Sequence, residues 1–274
     1  MIAAPGVLVI GVGRSGTSVA TQVASTMGLR LPAADDLMPA NDDNPDGYFE
    51  SLSLSAFDDE LLRRLGVTWW TPPSVPADAL EPTLAAVDER ALATFRATFG
   101  TETGYLWKDP RLTVLLPFWL RLLGEPLLIL PFRHPLEVAH SLVRRDGLTV
   151  TEGLAVWERH TRAVLAAAAG HAVVVLAYDD LRRDPAAWNR TVHDFCHAHG
   201  LDVRPPPSAP EELVRSPSSS ASGWMSVQQR SLHDRLCASV GPHERFASTT
   251  LGDETGWVAE VIARMHLPSW FTPG

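Results

Sequence analysis

The stretch Ile10-Gly11-Val12-Gly13-Arg14-Ser15-Gly16-Thr17-Ser18 joins an apolar run, Val7 to Val12, to a helical stretch, Ser18 to Met27. Strand, glycine turn and helix in that order constrain the fold more than any other part of the chain. They gather several backbone N–H groups and the positive end of a helix at one point, and the glycines let an anion approach closely. Two phosphate patterns compete for the loop. G-x-x-x-x-G-K-[ST] finds Gly11, Gly16 and Ser18 but meets Thr17 where it requires lysine, whereas G-x-G-x-x-G finds Gly11, Gly13 and Gly16.

Neither pattern is completed by its surroundings. A dinucleotide site wants an acidic residue about 20 positions on, closing a second strand. Asp35 and Asp36 lie near that distance, but Leu29-Arg30-Leu31-Pro32-Ala33-Ala34 makes a poor strand and Arg14-Ser15 crowds a pyrophosphate. A nucleoside triphosphatase or kinase wants the loop lysine and an acidic residue closing a later strand to hold magnesium. Thr17 replaces the first, and the run Leu127 to Phe132 ends in Arg133. The loop therefore reads as an anion site that works without a metal.

Further apolar runs at Tyr105 to Trp107, Leu127 to Phe132 and Val173 to Tyr178 read as buried strands. Helical stretches lie between or beyond them: Leu52 to Leu65, Leu84 to Phe99, Leu136 to Arg144, Thr151 to Ala169 and Ala186 to His199. This alternation predicts an α/β three-layer sandwich with a central parallel sheet, of the P-loop nucleotide-binding type, with ligands at the carboxyl ends of the strands. The 274 residues, 45% of them hydrophobic, suffice for one domain over residues 1–274. Residues 31–50, rich in Pro, Asp and Asn, read as a long ordered loop over the end of the first strand. Residues 205–222, with Pro205-Pro206-Pro207 and Ser218-Ser219-Ser220, read as a mobile connection or lid, and the chain from Val227 onward as amphipathic helix.

Charge narrows the partners. A formal net charge of -9 leaves no basic field for nucleic acid or an anionic membrane, so an anionic ligand must be caught locally. No apolar run reaches the roughly 20 residues that span a bilayer, which argues against membrane insertion. Cys196 and Cys237 cannot build a disulfide framework, and Met1 to Gly6 lacks the basic flank of a signal peptide, so cytoplasm is the expected compartment. Of 23 basic residues a single one is lysine, Lys108, in Trp107-Lys108-Asp109-Pro110-Arg111. A compact ammonium kept in a chain that otherwise uses arginine invites a specific task; the plain alternative is a surface lysine paired with Asp109.

Arg133-His134-Pro135 supplies a second anion site. Pro135 suits the first turn of a helix, leaving Arg133 just ahead of it to fork a phosphate. Ser141 lies about two turns on and can offer a hydroxyl to the same anion. The plain alternative for Arg133 is an ion pair with Glu137. His193, Cys196, His197 and His199 have metal-like residue types, but their spacing on one helix gives no tetrahedral set. Trp69 and Trp70 are candidates for an acceptor pocket, while core packing is the expectation for most of the other tryptophans.

Taken in order, the loop, Asn44-Pro45-Asp46-Gly47-Tyr48-Phe49-Glu50, Trp107-Lys108-Asp109-Pro110-Arg111, Arg133-His134-Pro135 with Ser141, and Tyr178-Asp179-Asp180-Leu181 with Asp184-Pro185 resemble the bacterial sulfotransferases that use 3′-phosphoadenosine 5′-phosphosulfate (PAPS). The resemblance spans roughly residues 7 to 185. It implies that Gly13, Arg14, Ser15, Gly16, Thr17 and Ser18 cradle the 5′-phosphosulfate, that Arg133 and Ser141 bind the 3′-phosphate, and that Tyr178 lies near the nucleotide. It implies transfer to a hydroxyl of a small-molecule acceptor, leaving 3′,5′-ADP, with no metal required. Under it, Lys108 and Arg14 meet the charge that develops on the leaving phosphate.

The general base departs from the eukaryotic cytosolic relatives, because Pro110 stands where their Lys-x-His histidine would be. Glu50 is the first candidate and Asp36 the second, and a helix cap at Ser51 is the competing role for Glu50. The arginine-rich usage of a GC-rich bacterial genome points to a natural product or glycolipid as acceptor. A small-molecule kinase with an altered loop and a non-catalytic nucleotide-binding protein are the rival readings.

Overall fold

A computed structural model describes residues 5–41, 44–45, 47–73, 85–206, 222–247 and 250–265. Most of the stretch expected to form a lid, 207–221, lies outside the described residues. The centre is a five-stranded sheet of β1 (Val7–Val9), β2 (Leu106–Lys108), β3 (Leu127–Phe132), β4 (Val173–Ala177) and β5 (Gly241–His243), ordered β2-β1-β3-β4-β5. The first four strands run parallel; β5 is antiparallel to β4. Period-two alternation divides their side chains between two layers. Leu8, Leu128 and Leu130 face one core, while Val7, Val9, Ile129 and Val174 face the other.

Helices cover both faces. On one side lie α1 (Thr17–Thr26) and, after β4, α7 (Tyr178–Arg183) and α8 (Pro185–Ala198). On the other lie α2 (Leu52–Arg64), α3 (Asp88–Phe99), α4 (Leu112–Leu123), α5 (Pro135–Asp146), α6 (Val150–Ala167) and α9 (Val227–Ala238), with α10 (Val258–Arg264) packed outside α6. The fold is thus α/β with a mostly parallel central sheet between helical layers. Among the described residues, no helix is long and apolar enough to cross a membrane.

Three elements differ from the expectation. α4 lies outside the expected helices: in Leu-Thr-Val-Leu-Leu-Pro-Phe-Trp-Leu-Arg-Leu-Leu the breaks in the apolar run, Thr113, Pro117 and Arg121, fall four apart on one narrow face, and Pro117 reads as a helix breaker; it is a largely buried helix. α7 hides behind the end of β4 as a six-residue turn of helix. Beyond α9 the chain forms β5 instead of continuing as helix, with its glycine-led bend at Gly241 (φ 120°).

The packing of α6 on α5 depends on close helix contact. A Cβ at Gly153 of α6 would sit 2.8 Å from the Cα of Ala139 of α5. Backbone cannot retreat as a side chain can. Gly153→Val is expected to cost about 1–3 kcal/mol, read as a lower denaturant midpoint with an unchanged m-value.

Candidate active site

Register brings the chemistry-bearing ends together. Val9 pairs with Lys108, so the glycine loop leaves β1 level with the lysine. Phe132 pairs with Ala177, so Arg133 and Tyr178, the next residues, emerge side by side.

The loop is held by its own polar groups. The Ser15 hydroxyl lies 2.6 Å from the Val12 carbonyl and 3.2 Å from that of Pro131, tying the loop to β3, and its N–H also donates to Val12. The Ser15 side chain therefore faces inward and shapes the loop. Gly16 caps α1 in the left-handed region (φ 97°), where a Cβ would meet the Tyr178 ring at 2.7 Å. No side chain caps α1, so the first N–H groups of the helix, those of Thr17 and Ser18 among them, carry no side-chain cap hydrogen bond. Arg14 adopts φ 72°, and its Nε donates to the Ser141 Oγ at 2.9 Å, linking the loop to α5. Asn44 Nδ2 donates to the Ser18 Oγ at 3.3 Å, which fastens the 31–50 segment over the start of α1.

That segment closes on itself before delivering Glu50. Met38 N–H donates to the Glu50 carbonyl and Leu52 N–H to the Asp36 carbonyl, at 2.8 and 2.7 Å. Between them Phe49 takes the left-handed φ of 62°, a conformation that costs free energy for a side chain of this size. The turn aims Glu50 inward. Its Oε1 accepts from Lys108 Nζ at 2.6 Å, both side chains being about 5% exposed (5% and 6%). Lys108 is thus neither a surface residue nor the partner of Asp109. Burial pushes the Glu50 carboxyl up, with the charge of Asp109 adding to it; Lys108 and Arg111 oppose the shift without cancelling it.

The cap that competes for Glu50 in the sequence is made by other residues. Ser51 Oγ accepts from Leu54 N–H, and Asp36 receives the hydroxyls of Ser51 and Ser53 and the Ser53 N–H. Burial works to raise the Asp36 carboxyl, but these bonds together outweigh it and hold it low. The two candidate bases are therefore distinct: Glu50 opens on the cleft, and Asp36 is spent on the start of α2.

Behind Lys108 the turn is braced. Asp109 accepts from Ser55 Oγ at 2.6 Å and from Arg111 N–H at 2.8 Å, while Arg111 makes a two-pronged pair with Asp59 at 2.6 and 2.8 Å. Burial disfavours the Arg111 charge, yet Asp109 and Asp59 more than compensate. One contributor carries no sequence signal. His160 is fully buried in α6, its Nε2 donating to the Trp69 carbonyl at 2.8 Å and its Nδ1 meeting the Thr113 hydroxyl at 2.6 Å. Burial lowers its pKa to about 3, which keeps it neutral in that tautomer. Its ring stacks on Trp69 at 4.8 Å, and Trp69 Nε1 donates to the Pro110 carbonyl at 2.9 Å. Trp69, lying 3.3 Å from a Cβ built on Gly13, thereby spans the loop and the Lys108 turn.

Together these parts line a cleft of about 530 Å³, bordered by Gly13, Arg14, Thr17 and Ser18 on one side and by Glu50, Lys108, Trp69 and Trp70 on the other. Outside the cleft lining, at the end of β3, Arg133 Nε donates to Glu137, and the Arg133 guanidinium sits 5.1 Å from the Tyr178 ring centre. The Arg133 pair with Glu137 is therefore present. The histidines of α8 take other roles: His193 and His197 stack on each other, His199 bonds the Phe195 carbonyl and Glu244, and Cys196 is in the core. Among the described residues, no three His, Cys, Asp or Glu side chains are grouped to hold a metal ion.

Such a cleft presents an uncapped helix start for an anion, a buried ammonium beside it, and a carboxylate of raised pKa touching that ammonium. No curated protein matches the chain. Among solved structures, the sulfotransferase domain of the Synechococcus PCC 7002 olefin synthase is similar at 19% identity over 96% of each chain, with a TM-score of 0.42. Sulfotransferase STF9 from Mycobacterium avium is similar at 13% identity over 96% of this chain and 76% of that one, with a TM-score of 0.39. The sequence pattern of the sulfotransferase family matches residues 5–202, most of the chain, and the chain therefore belongs to the sulfotransferase family.

Proposed function

We propose that the chain, as one domain, transfers a sulfuryl group from PAPS to a hydroxyl of a small-molecule acceptor and releases 3′,5′-ADP. The observation that carries this reading is the buried Lys108–Glu50 pair, 2.6 Å apart, in the same cleft as the uncapped start of α1. PAPS supplies the sulfuryl group and a stable leaving phosphate. Gly13, Gly16 and the N–H groups of Thr17 and Ser18 hold the phosphosulfate end, with the Ser18 hydroxyl and Arg14 beside it. Ser15 contributes by fixing the loop. Arg133 and Ser141 take the 3′-phosphate: the Ser141 oxygen accepts from Arg14, which leaves its own proton free to donate. Tyr178, packed on Gly16, borders the nucleotide.

Glu50 is the general base in this reading, and Asp36 supports it by holding the start of α2. When Glu50 takes the acceptor's proton it loses its charge, and with it most of its hold on Lys108. The ammonium is then available to the oxygen on which negative charge develops. Proton uptake and charge stabilisation are thereby linked through one 2.6 Å contact.

Thermal unfolding tests the donor. Near-saturating 3′,5′-ADP without magnesium is expected to raise Tm by roughly 5 °C, whereas ATP with magnesium, or NAD, leaves it unchanged. Stabilisation by ATP with magnesium alone overturns the reading in favour of a kinase. Tight 3′,5′-ADP binding with no transfer to any of a broad panel of alcohols and phenols favours a binding protein.

A further inference from the structure

Beyond Glu50 and Lys108 the cleft is walled by apolar groups. Met38, Pro39 and Ala40 of the folded-back segment, Pro110, and the indoles of Trp69 and Trp70 all border it. Such a wall suits an apolar skeleton. The rings also set a direction. Trp69 donates to the carbonyl of Pro110, two residues past Lys108, and meets Trp70 edge-on, their ring centres 4.5 Å apart. The guanidinium of Arg145 lies 6.0 Å from the centre of the Trp70 ring. Two indoles therefore lead from the reacting pair to a further cation on the cleft lining.

Arg145 stands in the last turn of α5 and is held by one side. Its Nε donates to both Asp146 oxygens, at 2.8 and 3.0 Å, while among the described residues Nη1 and Nη2 donate to nothing. Two other cations of the lining are occupied. Lys108 bonds Glu50, and each nitrogen of the Arg111 guanidinium bonds Asp59 or Asp109. Burial decides which half of the Arg145–Asp146 pair meets a ligand: the Asp146 side chain has no exposed surface, whereas the Arg145 side chain keeps 17%. The pair thus offers the end-on edge of the guanidinium, held in place by Asp146 and Trp70. Two parallel N–H donors on that edge match the two oxygens of a carboxylate.

We propose that Arg145 is a specificity-determining residue and that the acceptor is a hydroxy acid: its hydroxyl meets Glu50 and Lys108, its skeleton lies along Trp69 and Trp70, and its carboxylate is forked by Arg145. The role of the hydroxyl rests on the sulfuryl-transfer reading; the carboxylate site rests on Arg145 alone.

Calorimetric titration of the protein, with and without saturating 3′,5′-ADP, against matched acids and esters is the test. The probes are para-hydroxyphenylacetate, para-hydroxyphenylpropionate and the ω-hydroxy acids from hexanoate to dodecanoate, each beside its methyl ester. Their lengths bracket the span between the reacting pair and Arg145. At the best length the acid is expected to bind about tenfold more tightly than its ester. Arg145→Met is expected to remove that preference and leave the ester within twofold, while Arg145→Lys, which keeps the charge and loses the fork, restores part of it. With PAPS as donor, the KM values for transfer should show the same preference. Wild-type protein with no preference for the acid at any length, whether the ester binds as well or neither binds, overturns the inference, and so does a preference that survives Arg145→Met. Weaker 3′,5′-ADP binding in Arg145→Met overturns it as well, assigning the guanidinium to the nucleotide. The donor reading fails separately: acids that bind through Arg145 to a protein without affinity for 3′,5′-ADP leave the carboxylate site standing and remove sulfuryl transfer. Should Arg145→Met not fold, Arg145→Gln, which keeps a donor for Asp146, carries the same comparison.

Discussion

Replacing Lys108 with alanine is expected to lower kcat by about 10²–10³-fold while 3′,5′-ADP binds within threefold of wild type. The split follows from where the ammonium sits. It is bonded to Glu50, not to the loop, so it contributes little to holding the nucleotide at rest and much once charge appears on the leaving oxygen. A KM that rises with kcat unchanged sinks this role. The variant has a second expected effect. Glu50 is left buried without its counter-charge, at a cost of about 3–5 kcal/mol if it stays ionised. Its carboxyl, already raised by burial, moves further up. A group whose folded pKa is raised binds its proton more tightly when folded, so its stabilising share is present at low pH and lost as pH rises through the folded value. Lys108→Ala is thus expected to lose less stability near pH 5 than near pH 8, measured by denaturant titration at both. Equal loss at the two pH values means that Glu50 does not carry the cost.

Glu50→Gln is expected to lower kcat by about 10²–10⁴-fold; the amide oxygen can still accept from Lys108, but the buried ammonium loses its counter-charge, so a loss of stability is expected alongside. The pH profile separates a base from a prop. In the wild type, kcat/KM is expected to climb as Glu50 ionises, at a pH above the ordinary glutamate value because burial raises it. Glu50→Gln should flatten that limb. Retention of full turnover together with the limb removes Glu50 from the role, and Asp36→Asn becomes the next comparison.

Much of the local structure is legible because it is local. The apolar run before the glycines, Pro135 at the first turn of α5 and the alternation of strand and helix each act over a few residues, and β3 occupies the very span read from sequence, Leu127–Phe132. The strongly apolar α4 is hard to read for a physical reason: a helix buried on nearly all sides has a narrow polar face to mark its period, and the proline on that face, Pro117, reads as a break. The site shows the same division. The loop, Lys108 and Arg133 stand out as residues, but the contact between Glu50 and Lys108 crosses 58 positions and depends on the left-handed Phe49. The cap that Glu50 could have made went to Ser51 and Asp36, a choice decided by the fold-back of residues 36–38 on 50–52. His160 reads as an ordinary histidine in a helix; tertiary packing alone turns it into the strut of Trp69.

The buried lysine has a consequence beyond catalysis. Lys108 is the chain's single lysine, so every covalent chemistry that cells or laboratories direct at lysine side chains has one address in this protein, and that address is at the floor of the cleft. Acylation there would abolish the ammonium and the contact to Glu50 in one event. The surface, carrying its positive charge on arginine, offers such chemistry nothing, and any lysine adduct on this chain reports that the reagent reached Lys108.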